Sequence, residues 1–162
     1  MSKEIQLTQG YIALIDDEDF ERINRFTWCA AKSNENYYAI RKNYNESGTI
    51  RMHRVILNIN DTKIKIDHID NNSLNNQKSN LRIASNSENK RNQIKHKITS
   101  SKYKGVHFRK DNKKWRAGVR LNDQQINLGQ FNNEIDAALA YNTAAIKYFG
   151  EFAKINVIKE NI

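Results

Sequence analysis

Asp67 and His68 are neighbours, Asn80 follows twelve residues after His68, and Asn89 nine residues after Asn80. A carboxylate is a hard anionic metal ligand and a side-chain amide carbonyl a neutral one, so Asp67 and Asn89 together suit one Mg²⁺ or Mn²⁺. One protein carboxylate is enough if the substrate supplies its own charge, as a phosphate does. His68 projects from the other side of the same strand. It is expected to face solvent and take a proton from an attacking water while Asp67 holds the ion. Asn80 is expected to hydrogen-bond across the intervening loop and fix the His68 ring or backbone. Arg82 and nearby lysines could hold a phosphate. The chemistry that needs this set is phosphodiester hydrolysis, in which a divalent cation stabilises charge on the pentacoordinate phosphorus and on the leaving 3′ oxygen. Asp70 reads as a cap of the loop, His53 as structural and His96 as solvated. A zinc site from Cys29, His53 and His68 has no local spacing in its favour.

The elements that must carry these residues are short. Residues 63–67 alternate and read as a strand, and residues 81–84 read as its partner. Ser85 followed by Glu88 gives a capping box that starts a helix with Asn89 in its first turns. Strand, long polar loop, strand and helix then bring the ends of the set together without help from distant chain. Upstream, residues 5–7 and 11–14 read as strands around Gly10. Asp16 or Asp17 could cap a helix bearing Phe20, Ile23 and Phe26. Residues 28–31 and 37–41 read as paired strands, 43–49 as a polar turn, and 52–57 as a run that could be helix or strand.

Residues 94–101 form a basic linker without periodicity, able to be flexible or to lie along a minor groove. Three alternating runs follow, with Val106, Phe108, Trp115, Ala117, Val119, Leu121, Ile126 and Leu128 inward and a tight turn at Asn122-Asp123. Asn132 or Asn133 then caps a helix. Ile135, Ala138, Leu139, Asn142, Ala145, Ile146 and Phe149 make its stripe, and Gly150 ends it. The outward row of the sheet is His107, Arg109, Arg116, Arg120 and Asn127, residue types that read base edges or hold phosphates.

Composition agrees with a polyanionic partner. The 162 residues carry a net charge of +9, and the excess is local. Residues 1–26 hold six acids against three bases, whereas 102–120 hold eight bases against Asp111 alone. Nucleic acid is the commonest such partner, and its footprint is expected in the second half. Cys29 is the only cysteine, which excludes an internal disulfide and a Cys-x-x-Cys zinc knuckle. The start of the chain has no apolar run and no stretch is long enough to span a membrane, so a cytoplasmic protein is expected.

The pieces Asp67-His68-Ile69-Asp70, Asn80-Leu81-Arg82 and Glu88-Asn89 resemble HNH homing endonucleases of phage introns and free-standing phage genes. That resemblance implies a ββα-metal fold, with Asp67 and Asn89 as metal ligands, His68 as general base and Asn80 as the structural asparagine. Asn89 stands where many members have histidine. The pieces Tyr103-Lys104-Gly105-Val106, Trp115, Asn127-Leu128-Gly129-Gln130-Phe131 and Ala137-Ala138-Leu139-Ala140-Tyr141 resemble the plant ethylene-response-factor (Apetala-two type) DNA-binding domain. That implies DNA contacts near Lys104, Arg109, Trp115, Arg116 and Arg120. His107 and Asn127 depart from the plant pattern, so the plant target sequence is not expected.

The expected architecture is α+β: a nuclease region over 1–93 with its ββα-metal core at about 61–93, the linker 94–101, and three antiparallel strands packed on one helix over 102–156. The expected activity is one-metal cleavage of double-stranded DNA in a bacterial or phage-infected cell, by a monomer or homodimer. The alternative is a non-catalytic, sequence-specific DNA-binding regulator that keeps the fold.

Overall fold

The computed structural model describes residues 1–43, 47–95 and 100–158. The centre of the turn at 43–49 and residues 96–99 of the linker, including His96, lie outside the described residues. The chain divides into two units, Met1–Ser87 and Glu88–Ile162. The architecture is mixed α+β, with several small antiparallel sheets and short helices. No helix among the described residues is long and apolar enough to cross a membrane.

The first unit opens with a hairpin of β1 (Ser2–Gln6) and β2 (Ile12–Asp16). A 3-10 turn, Asp17–Asp19, leads into α1 (Phe20–Asn24). The cap expected from Asp16 is absent. Its carboxylate instead accepts the Lys78 amide at 2.7 Å and the Gln77 side-chain amide at 3.2 Å. The second sheet has the order β3 (Cys29–Ser33), β4 (Asn36–Lys42), β5 (Thr49–Arg51). The ambiguous run at 52–57 is helix α2 (Met52–Ile56). Arg22 ends that helix by donating to the Val55 and Ile56 carbonyls at 2.7 and 3.3 Å, groups that have no partner within the helix. Ile5, Leu7, Ala13, Ile15, Ile23, Trp28, Met52 and Ile56 fill the core. The Trp28 indole is satisfied there by the Ile23 carbonyl at 2.9 Å.

On this scaffold sit β6 (Ile66–His68) and β7 (Leu81–Ile83), antiparallel with Asp67 opposite Arg82. The strand expected at 63–67 starts later. Lys63 and Ile64 belong to a turn in which the Asp61 carboxylate accepts the Lys63 amide at 2.8 Å. Arg54 reaches the Ile64 carbonyl at 3.0 Å. These local bonds outcompete the alternating pattern. Helix α3 (Asn86–Asn92) follows, and the division between the units falls within it.

In the second unit, β8 (Val106–Arg109), β9 (Lys114–Leu121) and β10 (Gln124–Phe131) form an antiparallel sheet with β9 central. Asn122 and Asp123 both take positive φ, 47° and 61°, which matches the twist a two-residue hairpin needs. Helix α4 (Glu134–Phe149) is capped by Asn133, whose side-chain oxygen accepts the Asp136 amide at 2.8 Å. The expected stripe of α4 is rotated. Ala137, Ala138, Tyr141, Ala144, Ala145 and Phe149 are buried, whereas Leu139 and Ile146 are 51% and 58% exposed. Small residues let the helix backbone approach the sheet, so alanine wins the inner face over larger neighbours.

Gly105 marks how tight this contact is. Its φ is +73°, and a Cβ there would stand 2.0 Å from the Tyr141 ring and 2.8 Å from the Gly118 carbonyl oxygen. Both the backbone conformation and the space exclude a side chain. Gly105→Ala is therefore expected to destabilise the second unit by about 3 kcal/mol, read as a lower urea midpoint. A midpoint equal to wild type contradicts this packing.

Candidate active site

The ladder between β6 and β7 is only three residue pairs long. What fixes the twelve residues between them is Asn80. Its buried side chain accepts the Asp70 amide at 3.0 Å and donates to the Asp70 carboxylate at 2.9 Å and the Asn75 carbonyl at 2.8 Å. Its own carbonyl accepts the Ile69 amide at 2.9 Å. The expected cross-loop bond is therefore made to the backbone just after His68, rather than to the ring. Asp70 caps the loop as expected, accepting the Asn72 amide at 2.8 Å and the Asn75 side chain at 2.8 Å. The far side of the loop is tied to β2 by Leu14 and Asn76, whose amides donate to the Leu74 and Leu14 carbonyls at 2.9 and 2.7 Å. Ser73 anchors it to β4 through the Tyr37 carbonyl at 2.7 Å.

His68 does not face solvent as expected; it is 6% exposed. The reason is the sheet beneath it. Tyr38 on β4 and His53 on α2 stand against the imidazole, with ring centroids 6.2 and 5.2 Å away. Its Nε2 meets the Asn76 side-chain oxygen at 3.4 Å. Asn76 donates to the Leu74 carbonyl at 3.1 Å, which presents the amide oxygen to the ring. Asn76 so oriented favours the tautomer that carries its proton on His68 Nε2. Burial pushes the imidazole below its usual range, against the opposing pull of Asn76, Asp70 and Asp67. His53 is pushed further, to about 3, by burial and by the charges of His68, Arg51 and Arg54. Both rings are neutral at physiological pH.

Asp67, one residue before, is opposite Arg82 on β7 and meets it there. Arg82 donates from Nε and Nη2 to one carboxylate oxygen of Asp67, at 2.9 and 2.8 Å. The two side chains are 11% and 10% exposed. The guanidinium expected to hold a phosphate is thus engaged with the carboxylate. Asn89 lies on α3, in the segment belonging to the second unit. Its side-chain oxygen is buried and has no hydrogen-bond partner among the described residues. Leaving such a carbonyl unpaired costs about 1–3 kcal/mol, and a bound ion is one of the few arrangements that explains it. Asp67 and Asn89 belong to different units, and their donor types, a carboxylate and an amide oxygen, are ones that a hard cation takes.

In the second unit His107, Arg116, Arg120 and Asn127 lie on the sheet face away from α4. His107 is opposite Arg116 in register, and Arg116 donates to the Asn127 side chain at 3.1 Å. Partial desolvation, then Arg116 and Arg109, push the His107 imidazole below its usual range. Arg109 pairs with Asp111 at 2.6 Å on the surface. Trp115 lies on the other face, packed with the Tyr103, Val106 and Ala117 cluster and 5.0 Å from the Phe108 ring. Lys104 is also turned inward. Its ammonium donates to the carbonyls of Arg91 and Gln93, the latter at 2.6 Å, and so closes the C-terminal end of α3. Burial, with Lys154 nearby, lowers it to about 8.

Asn76 and Tyr38, which stand against His68, are the residues that sequence reasoning missed. Asn76 is one of five asparagines between 71 and 80, and nothing in its spacing separates it from turn residues. Tyr38 comes from another sheet, so only the tertiary fold brings it in.

The buried pair of imidazoles has a consequence for stability. A His53 held near 3 in the fold but near 6.5 in the unfolded chain binds fewer protons when folded. Its contribution is therefore intact above about pH 6.5 and declines as the pH falls toward 3. His68 shifts in the same direction. The unfolding free energy is expected to fall by about 1 kcal/mol or more per pH unit below 6, measured by urea titration, and to flatten in His53→Gln. Equal slopes in the two proteins contradict the buried, neutral state.

No protein-family model matches the chain. Over 155 residues it is 32% identical to an uncharacterized HNH endonuclease of Acanthamoeba polyphaga mimivirus, covering 93% of this chain and 77% of that protein. With that likeness running through both units, the chain belongs to the HNH endonuclease family.

Proposed function

We propose that the protein is a metal-dependent DNA endonuclease of homing type. In this reading Asp67 and Asn89 hold one Mg²⁺ or Mn²⁺ in a ββα-metal motif, and His68 is the general base. The observation that carries it is the buried, unpartnered amide oxygen of Asn89, at the position in the motif where a ligand is required. When bound, the cation would offset charge on the phosphorane and on the leaving 3′ oxygen.

The chain's own residues have the following roles. Asn76 holds the Nε2 proton of His68, so the imidazole accepts a proton at Nδ1 from the attacking water. Burial keeps the ring neutral and able to accept it. Asn80 sets the loop that carries His68, and Arg82 fixes the Asp67 carboxylate in one orientation. One such set per chain cuts one strand per encounter, so a nick is the simplest product, and a double-strand break calls for a homodimer or a second visit. The second unit, an ethylene-response-factor type domain in this reading, sets where cleavage falls. Support comes from its outward row of Arg116, Arg120, His107 and Asn127, which offers donors to base edges and phosphates.

The expected behaviour is nicking of supercoiled plasmid with Mg²⁺ or Mn²⁺ and none in EDTA. His68→Ala should lower the rate about a hundredfold or more. Asn89→Ala should raise the metal concentration needed by about tenfold or more. DNA binding without metal-dependent cleavage in the wild type contradicts the enzyme and points to a DNA-binding regulator.

A further inference from the structure

Of the six arginines of the first unit, Arg25 is exposed just after α1 and four others are engaged inside the unit. Arg22 closes α2. Arg54 holds the turn before β6 through the Ile64 and Asp61 carbonyls. Arg41 lies over Phe26 and Trp28. Arg82, opposite Asp67 on β7, is held by its carboxylate.

Arg51 differs. It is the last residue of β5, opposite Ile40 in register, and leads directly into α2. Its side chain is exposed, and no carboxylate or carbonyl partner for it occurs among the described residues. Yet it is not loose: its guanidinium carbon sits 4.7 Å from the centre of the Tyr38 ring. That same ring packs against His53 at 5.9 Å and His68 at 6.2 Å. Tyr38 therefore separates a positioned guanidinium from the candidate base by a single aromatic layer. A guanidinium stacked on a ring keeps its donors in its own plane, directed around the edge, where they match phosphate oxygens.

We infer that Arg51 is a substrate-binding residue: it grips a phosphate of the DNA strand cut at His68, and Tyr38 is the platform that aims it. The inference rests on the nuclease reading for its location, but its contact with DNA can be measured apart from cleavage. A cation beside buried neutral rings costs little while solvated, and draws an anionic backbone toward the imidazole edge. Tyr38 is then a positioning residue, acting on the phosphate only through Arg51.

The test uses the full chain in two assays: plasmid nicking in Mn²⁺, and binding to a linear duplex in EDTA across a series of NaCl concentrations. Arg51→Ala is expected to lower nicking kcat/KM at least tenfold and to reduce the slope of log affinity against log salt by about 0.9, the loss of one phosphate contact. Arg51→Lys keeps the charge and should restore the slope while recovering only part of the rate, which also separates the role from any folding defect. If wild type fails to nick but Arg51→Ala still loses that slope, the phosphate grip stands and the nuclease reading falls. If wild type nicks, and Arg51→Ala retains both its salt slope and a rate within twofold, Arg51 has no such role.

Discussion

A two-stranded ladder of three residue pairs is too short to hold itself in register, and the candidate site depends on what replaces the missing length. Asn80 does so. An amide donates and accepts at once, so one side chain can close both directions of the loop between His68 and Leu81. A carboxylate could not donate there, and a lysine could not accept. The asparagines around it extend the same device. The Asn72 side chain accepts the Leu74 amide at 3.1 Å, and Asn75 reaches the Asp70 carboxylate. The loop is thus a chain of local side-chain turns clamped from outside by β2 and β4. Neutral amides also stiffen it without adding charge.

The second constraint is burial. A His68 under Tyr38 and beside His53 loses hydration, and Asn76 compensates one ring nitrogen. The outcome is a neutral ring, with burial disfavouring its charged form and Asn76 satisfying one nitrogen. Asp67 and Arg82 solve the same difficulty by pairing, since a part-buried carboxylate alone would be expensive. On the proposed function, the first unit supplies rigidity and a neutral base, and the basic residues of the second attract the polyanion.

Much of this was legible in the chain because the relevant signals are local. The hairpins turn where Gly10 and Asn122-Asp123 demand positive φ. Asn133 caps α4, and alternation at 63–67 and 81–84 marks β6 and β7, though β6 begins later than its pattern. What escaped is what depends on tertiary competition. The inner face of α4 is rotated from the expected stripe, keeping Ala138, Ala145 and Phe149 but turning Leu139 and Ile146 outward, because alanines pack closer than leucine or isoleucine. Lys104 reads as a phosphate-binding lysine in sequence, yet the open C-terminal carbonyls of α3 engage it. The burial of His68 comes from Tyr38 and His53, residues 30 and 15 positions upstream, and no spacing rule links them. Asn76 was hidden by the abundance of its own kind.

The central claim is that one divalent ion is shared by Asp67 and Asn89 when DNA is bound. A crystal of the His68→Ala protein with duplex DNA and Mn²⁺, recorded at the manganese absorption edge, tests it most directly. The account predicts a single anomalous peak within coordination distance of an Asp67 carboxylate oxygen, the Asn89 amide oxygen and a phosphate. Manganese bound elsewhere, or an Asn89 oxygen satisfied by a protein hydrogen bond in the complex, would contradict it.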